Sequence, residues 1–258
     1  MLTTSLVTAA EVEQFRGDGY LVCHRQLFSP EKFQALAATF ERILASRPDG
    51  KRPEDLDVPH YAYPELFEWL FADEVLDMVE AFVGPDIALW SSHFICKPAG
   101  KGRAVPWHED SAYWKGMLEP QEVVTVWLAI DPSTRANGCM RVIPGTHDNG
   151  FSEYEPVDRE QNVFGSRVRR DQMDESKAVD LELAPGEFHL HHARLIHGSN
   201  ANVSDRRRCG YTMRYMSTRV KFYEDARRMR HQIYLARGRD HAGNAYGDPT
   251  RRWQEGIR

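Results

Sequence analysis

Apolar residues fall at helical spacing in the first third of the chain and in short strand-like runs after it. Phe33, Leu36, Ala37, Phe40, Ile43 and Leu44 share one face of a predicted helix. Ser29-Pro30 just before them supplies a cap and a first-turn proline. An earlier helix begins at Thr8-Ala9-Ala10-Glu11, a capping-box pattern, and stops at Gly17-Asp18-Gly19, ahead of a short strand Tyr20-Leu21-Val22. Leu66, Leu70, Val75, Leu76, Val79 and Phe82 predict two more short helices between residues 64 and 82.

From about Asp86 the texture changes. Short apolar or alternating runs cover 87–96, 123–130, 139–143, 179–183, 188–196 and 211–217. Between them stand turn signals such as Pro98-Ala99-Gly100, Asn137-Gly138, Pro144-Gly145 and Pro185-Gly186. Many short strands with such punctuation predict a sandwich, barrel or jelly roll. Residues 148–174 are polar and irregular, as in a lid or insert. Neither an internal repeat nor a linker is visible. The expectation is one domain over 1–258: a helical flank to 85, a β core over 86–220 and a C-terminal cover over 221–258.

Composition narrows the partners. The longest apolar stretch, Val123 to Ile130, is far too short to span a bilayer, so no membrane partner is expected. A net charge of -5 argues against nucleic acid. The start of the chain lacks a secretory pattern, and the four cysteines (Cys23, Cys96, Cys139, Cys209) form no Cys-x-x-Cys pair, so a reducing cytoplasmic setting is expected. Charge is uneven: from Ala201 onward there are 14 Lys and Arg against 6 Asp and Glu. That basic stretch reads as a solvated face, or more sharply as an anion-attracting wall over a site.

The most informative stretch is Trp107-His108-Glu109-Asp110. On an extended strand His108 and Asp110 share a face and Glu109 points away. Alone the pair is unspecific. The later run Phe188 to Ile196 followed by His197-Gly198-Ser199 offers a remote histidine. His189 and His191 sit within the strand and read as packed core residues, and His192 as a group behind a ligand. His197, at the junction of strand and turn, is the candidate. Two histidines and one carboxylate suit a facial Fe(II) site with open positions, or zinc with a water. Arg208 follows His197 by eleven residues, on a strand whose Gly210 and Thr212 share its face. A guanidinium fork there suits the far carboxylate of a dicarboxylate. Arg214 has the same parity and is the second candidate, while Arg206 and Arg207 read as surface groups.

These pieces, in this order, resemble the phytanoyl-CoA dioxygenase family of Fe(II)- and 2-oxoglutarate-dependent oxygenases. The resemblance runs from about residue 8 to 220. It includes Glu13 to Val22, Trp107-His108-Glu109-Asp110, Val126 to Ile130, Asn137 to His147 and His197-Gly198-Ser199 with Arg208. It implies a mainly β fold with flanking helices, a double-stranded β-helix of jelly-roll type. It implies iron held by His108, Asp110 and His197, the distal carboxylate of 2-oxoglutarate held by Arg208 and Ser199, and Trp127 lining that pocket. It gives His147 a structural role. The implied reaction consumes O2 and hydroxylates an unactivated C–H of a small-molecule metabolite, releasing succinate and CO2. Halogenating relatives carry a small residue where Asp110 stands, so retention of this carboxylate favours hydroxylation. The alternative is a cupin-like isomerase or hydrolase using Zn or Mn without 2-oxoglutarate. For the substrate, Tyr113 and Trp114 are candidates for an aromatic wall and His93 for a cavity-lining group. Lys97 and Arg103 read as loop charges, and the stretch after Arg219 as a cover across the mouth.

Overall fold

The computed structural model describes residues 6–224 and 230–253. Helix Ala9–Asp18 starts at the Thr8–Glu11 capping box and ends at Gly19, whose φ of 78° closes the helix in the left-handed region. Helix Pro30–Ala45 is capped by the Ser29 side chain and buries Leu36, Phe40 and Ile43. The two helices expected between 64 and 82 become a 3-10 turn Pro64–Leu66, a single turn Phe67–Leu70 and a full helix Asp73–Val83.

Among the described residues the main strands form two antiparallel sheets. The larger has the order Tyr20–Cys23, Phe188–His192, Val123–Ala129, Arg208–Ser217, Ile87–Lys97, Tyr234–Arg237, with Leu56–Asp57 also paired to Ile87–Lys97. The smaller has the order Val179–Leu181, Met140–Val142, His197–Ser199, Val105–His108. The architecture is mainly β, a jelly-roll core with helices on one side. Alternation explains the layering. Val124, Val126, Leu128, Phe188, Leu190, Tyr211, Met213 and Tyr215 pack with helix residues such as Phe15, Phe40 and Val79 in one apolar core. The alternate residues, Thr125, Trp127, His189, His191, Arg208, Thr212 and Arg214, take the opposite face, toward the smaller sheet. None of the described helices is long and apolar enough to cross a membrane.

Several expected strands are cut differently. The 188–196 run is a strand only to His192; a turn follows, and His197–Ser199 is itself a strand rather than a turn. The backbone turns there because Leu195 N–H donates to the His192 carbonyl. The polar 148–174 insert contains a hairpin, Tyr154–Pro156 with Ser166–Val168. Beyond residue 220, strand Tyr234–Arg237 joins the edge of the larger sheet, so that part of the expected cover is woven into the core; residues 225–229 and 254–258 lie outside the described residues.

Burial holds many histidines neutral. His231, whose ring lies 3.9 Å from that of Trp90, is pushed from its ordinary 6.5 down to about 4 by burial. His60 and His189 are also lowered by burial. Between pH about 4 and 6.5 the unfolded chain therefore binds more protons than the native one. Stability should be full above pH 6.5 and fall as pH drops, by on the order of 2 kcal/mol at pH 5 for a group like His231 alone. Urea midpoints of metal-free protein at pH 7.5 and 5.0 test this, and equal midpoints contradict it.

Candidate active site

His108 closes strand Val105–His108, and its register partner across the smaller sheet is His197, which opens strand His197–Ser199. Pairing across adjacent antiparallel strands brings the two rings to 4.1 Å between centroids. The backbone leaves extended geometry after Glu109, and Asp110 starts a short helical turn, Asp110–Tyr113. The expected continuous strand through Asp110 is therefore wrong, and the turn, not strand parity, carries the carboxylate to the imidazoles. Asp110 Oδ1 lies 3.6 Å from His108 Nε2 and 3.8 Å from His197 Nε2. One ligand atom from each of the three falls within 4.8 Å of the others, and all three side chains are buried.

Protonation follows from the outer contacts. His108 Nδ1 donates to the Pro106 carbonyl and His197 Nδ1 to the Leu195 carbonyl, each at 2.8 Å. A carbonyl cannot donate, so each Nδ1 carries a hydrogen and Nε2 is the ring nitrogen left to face a metal. Burial, with His108 beside it, keeps His197 well below the usual imidazole range. Burial alone would raise the Asp110 carboxyl, but Arg214 and the imidazoles hold it well down. Two imidazole nitrogens and a carboxylate oxygen thus converge on one point. Imidazole nitrogen and carboxylate oxygen are the donors a divalent transition metal takes. The residues fit a metal ion.

Asp110 Oδ2 is engaged from behind. Arg214 Nε donates to it at 3.2 Å, and His191 Nε2 stands at 3.8 Å. Arg214, the second candidate for a cosubstrate anchor, instead braces this carboxylate. His191 faces the site, whereas His192 pairs with His147 at 5.4 Å between centroids, in a separate surface hollow; it is not behind a ligand. His147 Nε2 donates to the Arg16 carbonyl, tying the first helix to the Pro144-Gly145 turn. Glu109 points away, accepting from the Ser152 N–H, the Ser152 hydroxyl and the Tyr154 hydroxyl, and so moors the insert.

Beside the convergent trio lies a narrow cavity of about 110 Å³. Arg208, only 2% exposed, lines it; its Nη2 donates to the Gly138 carbonyl at 3.0 Å and stands 3.5 Å from the Ser199 hydroxyl. Its Nε is buried with no partner. Trp127 lies 5.4 Å from the guanidinium and stacks on His189 at an interplanar angle of 8°. Gly210 makes this possible, because a Cβ there would come within 2.1 Å of the indole. Lys97 is not a loop charge, and Arg103, although in the loop before Val105, is not a free one. Lys97 ends its strand, is buried and lines the cavity, and Arg103 Nε pairs with Glu54 at 3.2 Å at its rim. Extending the expected strand by one residue would have placed Lys97 on the face of His93 and Ile95.

A wider hollow of about 480 Å³ adjoins it, sharing His93, Asp110, Phe164 and Arg214 as walls. Trp90, Tyr113 and Trp114 also line it, with Trp90 and Trp114 edge to face at 5.6 Å. His93 Nε2 donates to the Glu54 carbonyl at 2.9 Å, so it is both hydrogen-bonded and cavity-lining. Phe164, from the insert, packs 5.0 Å from His108 and 4.9 Å from Tyr113; nothing in its polar surroundings marked it. Much of the described part of the basic stretch is paired on the surface instead of walling the mouth. Arg207 pairs with Glu41 and Asp131, and Arg237 with Asp73, Asp77 and Glu80. Only Arg208, Arg214 and Arg230 of its described arginines line the two cavities.

Comparison with known proteins finds both a family and similar folds. The family described as phytanoyl-CoA dioxygenase (PhyH) matches over residues 15–210. Human peroxisomal phytanoyl-CoA dioxygenase is 28% identical over 211 residues, covering 78% of this chain and 60% of that protein. The chain thus spans about three-fifths of the length of that relative. Among solved structures, apo ThoJ, a non-heme monooxygenase, superposes with a TM-score of 0.73 and 28% identity, over 92% of this chain and 87% of that one. EvdO2 from Micromonospora carbonacea var. aurantiaca, complexed with 2-oxoglutarate, superposes with a TM-score of 0.69 over 85% of this chain and 94% of that one; at 23% identity the likeness is one of fold.

Proposed function

Since the chain belongs to the phytanoyl-CoA dioxygenase family, we propose that it is an Fe(II)- and 2-oxoglutarate-dependent oxygenase that hydroxylates an unactivated C–H of a small metabolite. The observation that carries this reading is the convergence of His108, Asp110 and His197 next to a cavity holding a buried, incompletely partnered guanidinium. Bound Fe(II) would supply O2 activation coupled to decarboxylation of 2-oxoglutarate to succinate and CO2.

The side chains divide the remaining work. His108 and His197 offer Nε2, fixed in tautomer by the Pro106 and Leu195 carbonyls. Asp110 offers Oδ1 alone, because Arg214 engages Oδ2. Three donors from one side leave the opposite side open for cosubstrate and O2. Arg208 and Ser199 receive the distal carboxylate, and the Trp127 face walls its carbon chain. The small cavity of about 110 Å³ suits a short diacid. Tyr113, Trp114 and His93 border the wider hollow where the substrate sits, and Phe164 shields the metal side from bulk water. A Zn or Mn enzyme without 2-oxoglutarate would leave the Arg208 cage without a counter-charge.

Anaerobic addition of Fe(II) and then 2-oxoglutarate should give a weak visible charge-transfer band, and a metabolite panel should reveal substrate-stimulated succinate. Tight zinc with neither 2-oxoglutarate binding nor the band would refute the proposal.

A further inference from the structure

Two cations stand side by side at the inner end of the small cavity. Lys97 is the register partner of Arg208 across adjacent antiparallel strands, so both side chains leave the sheet on one face. Each is 2% exposed and each lines the cavity. Their heads reach the same residue. Lys97 Nζ donates to the Asn200 carbonyl and stands 3.4 Å from the Ser199 carbonyl, while Arg208 Nη2 stands at the Ser199 hydroxyl.

Neither cation has a carboxylate partner among the described residues. Two acids line the same cavity, and both are engaged elsewhere. Glu54 is paired with Arg52 and Arg103, and Asp110 with Arg214. Burial, followed by the nearness of Arg208, pushes the Lys97 ammonium well below its usual range, the cost of crowding like charges out of water. A buried pair of this kind calls for an anion that the chain itself does not provide.

We propose that Lys97 is a second cationic anchor for the cosubstrate, sharing the distal carboxylate of 2-oxoglutarate with Arg208 and making the pocket select a diacid over a 2-oxo monoacid. This rests on the assignment of the small cavity to 2-oxoglutarate made above. A competing role exists for the same side chain: a clamp on the Ser199–Asn200 backbone, needing only its hydrogen bonds. Glutamine separates the two roles, because it can still donate to a carbonyl but carries no charge.

The experiment is an anaerobic titration of Fe(II)-loaded wild type, Lys97→Met, Lys97→Gln and Lys97→Arg. The probes are 2-oxoglutarate and 2-oxovalerate, the same carbon chain without the distal carboxylate. Followed by the visible band and by calorimetry, 2-oxoglutarate should bind about 10- to 100-fold more weakly to the methionine and glutamine variants. Binding of 2-oxovalerate should stay within about twofold across the series, as expected when only a carboxylate contact is lost. Lys97→Arg should retain the preference for the diacid. KM for 2-oxoglutarate should rise with little change in kcat at saturation. Wild-type affinity in Lys97→Gln, or equal weakening of both oxoacids, overturns the inference. Should methionine prevent folding, the glutamine variant decides alone. A normal wild-type band with an unaltered glutamine variant refutes only this role for Lys97, whereas a wild type that binds neither oxoacid refutes the oxygenase reading with it.

Discussion

Alanine at His108 or at His197 is expected to eliminate the Fe(II)–2-oxoglutarate band and to lower turnover at least ~1000-fold, about 4 kcal/mol of transition-state stabilisation. Each imidazole supplies one of the two nitrogens facing Asp110 Oδ1, and no other described side chain stands ready to replace it. His191, the nearest other histidine, is on the Oδ2 side of Asp110, at 3.8 Å. The fold should tolerate the change. Each imidazole makes one hydrogen bond to a carbonyl two residues away, worth about 1 kcal/mol. The distinguishing readout is therefore thermal: Fe(II) should raise the Tm of wild type and leave either variant unmoved. A variant that keeps both the band and the metal-induced rise in Tm would remove these residues from the metal site.

Arg208→Met should raise KM for 2-oxoglutarate by about 100-fold or more, because a bidentate, desolvated charge pair is among the strongest polar contacts available. At saturating cosubstrate kcat should fall much less, since the metal donors are untouched. Lysine at this position should not rescue, as it lacks the planar fork and would stand against Lys97. Metal-free Arg208→Met should be no less heat-stable than wild type. The lost bond to the Gly138 carbonyl is offset by removal of a buried cation with an unpartnered Nε. An unchanged KM would show that the small cavity is not where 2-oxoglutarate binds.

The strands of the larger sheet were legible because their period of two is written over long runs. Arg208, Gly210, Thr212 and Arg214 alternate with Cys209, Tyr211, Met213 and Tyr215, and the second set packs in the core shared with the helices. Shorter elements were not legible. A turn after His192 and the helical start at Asp110 depend on long-range contacts, such as the Ser111 N–H donating to the Ala193 carbonyl, which no local pattern encodes. The closeness of His108 and Asp110 was visible from their spacing, although a helical turn rather than a pleat produces it. Lys97 was missed because a lysine beside Pro98-Ala99-Gly100 has the composition of a surface loop, and only the sheet register shows what it faces. Arg214 shared the right face with Arg208, but which anion each arginine meets is set by the depth of the strand in the barrel, a property of the assembled fold.

Strand Arg208–Ser217 carries both inward arginines, one toward the small cavity and one behind Asp110. The wider hollow takes Trp90, Ser91, His93 and Arg214 from the strands, but also Val58, Phe164, Arg230 and His231 from connecting segments, and Tyr61, Tyr113 and Trp114 from single helical turns or their ends. On the function proposed above, part of what would choose the substrate is thereby carried by segments outside the sheet frame. Grafting new connections onto this frame should redirect it to other compounds while the engine for spending oxygen runs on unchanged.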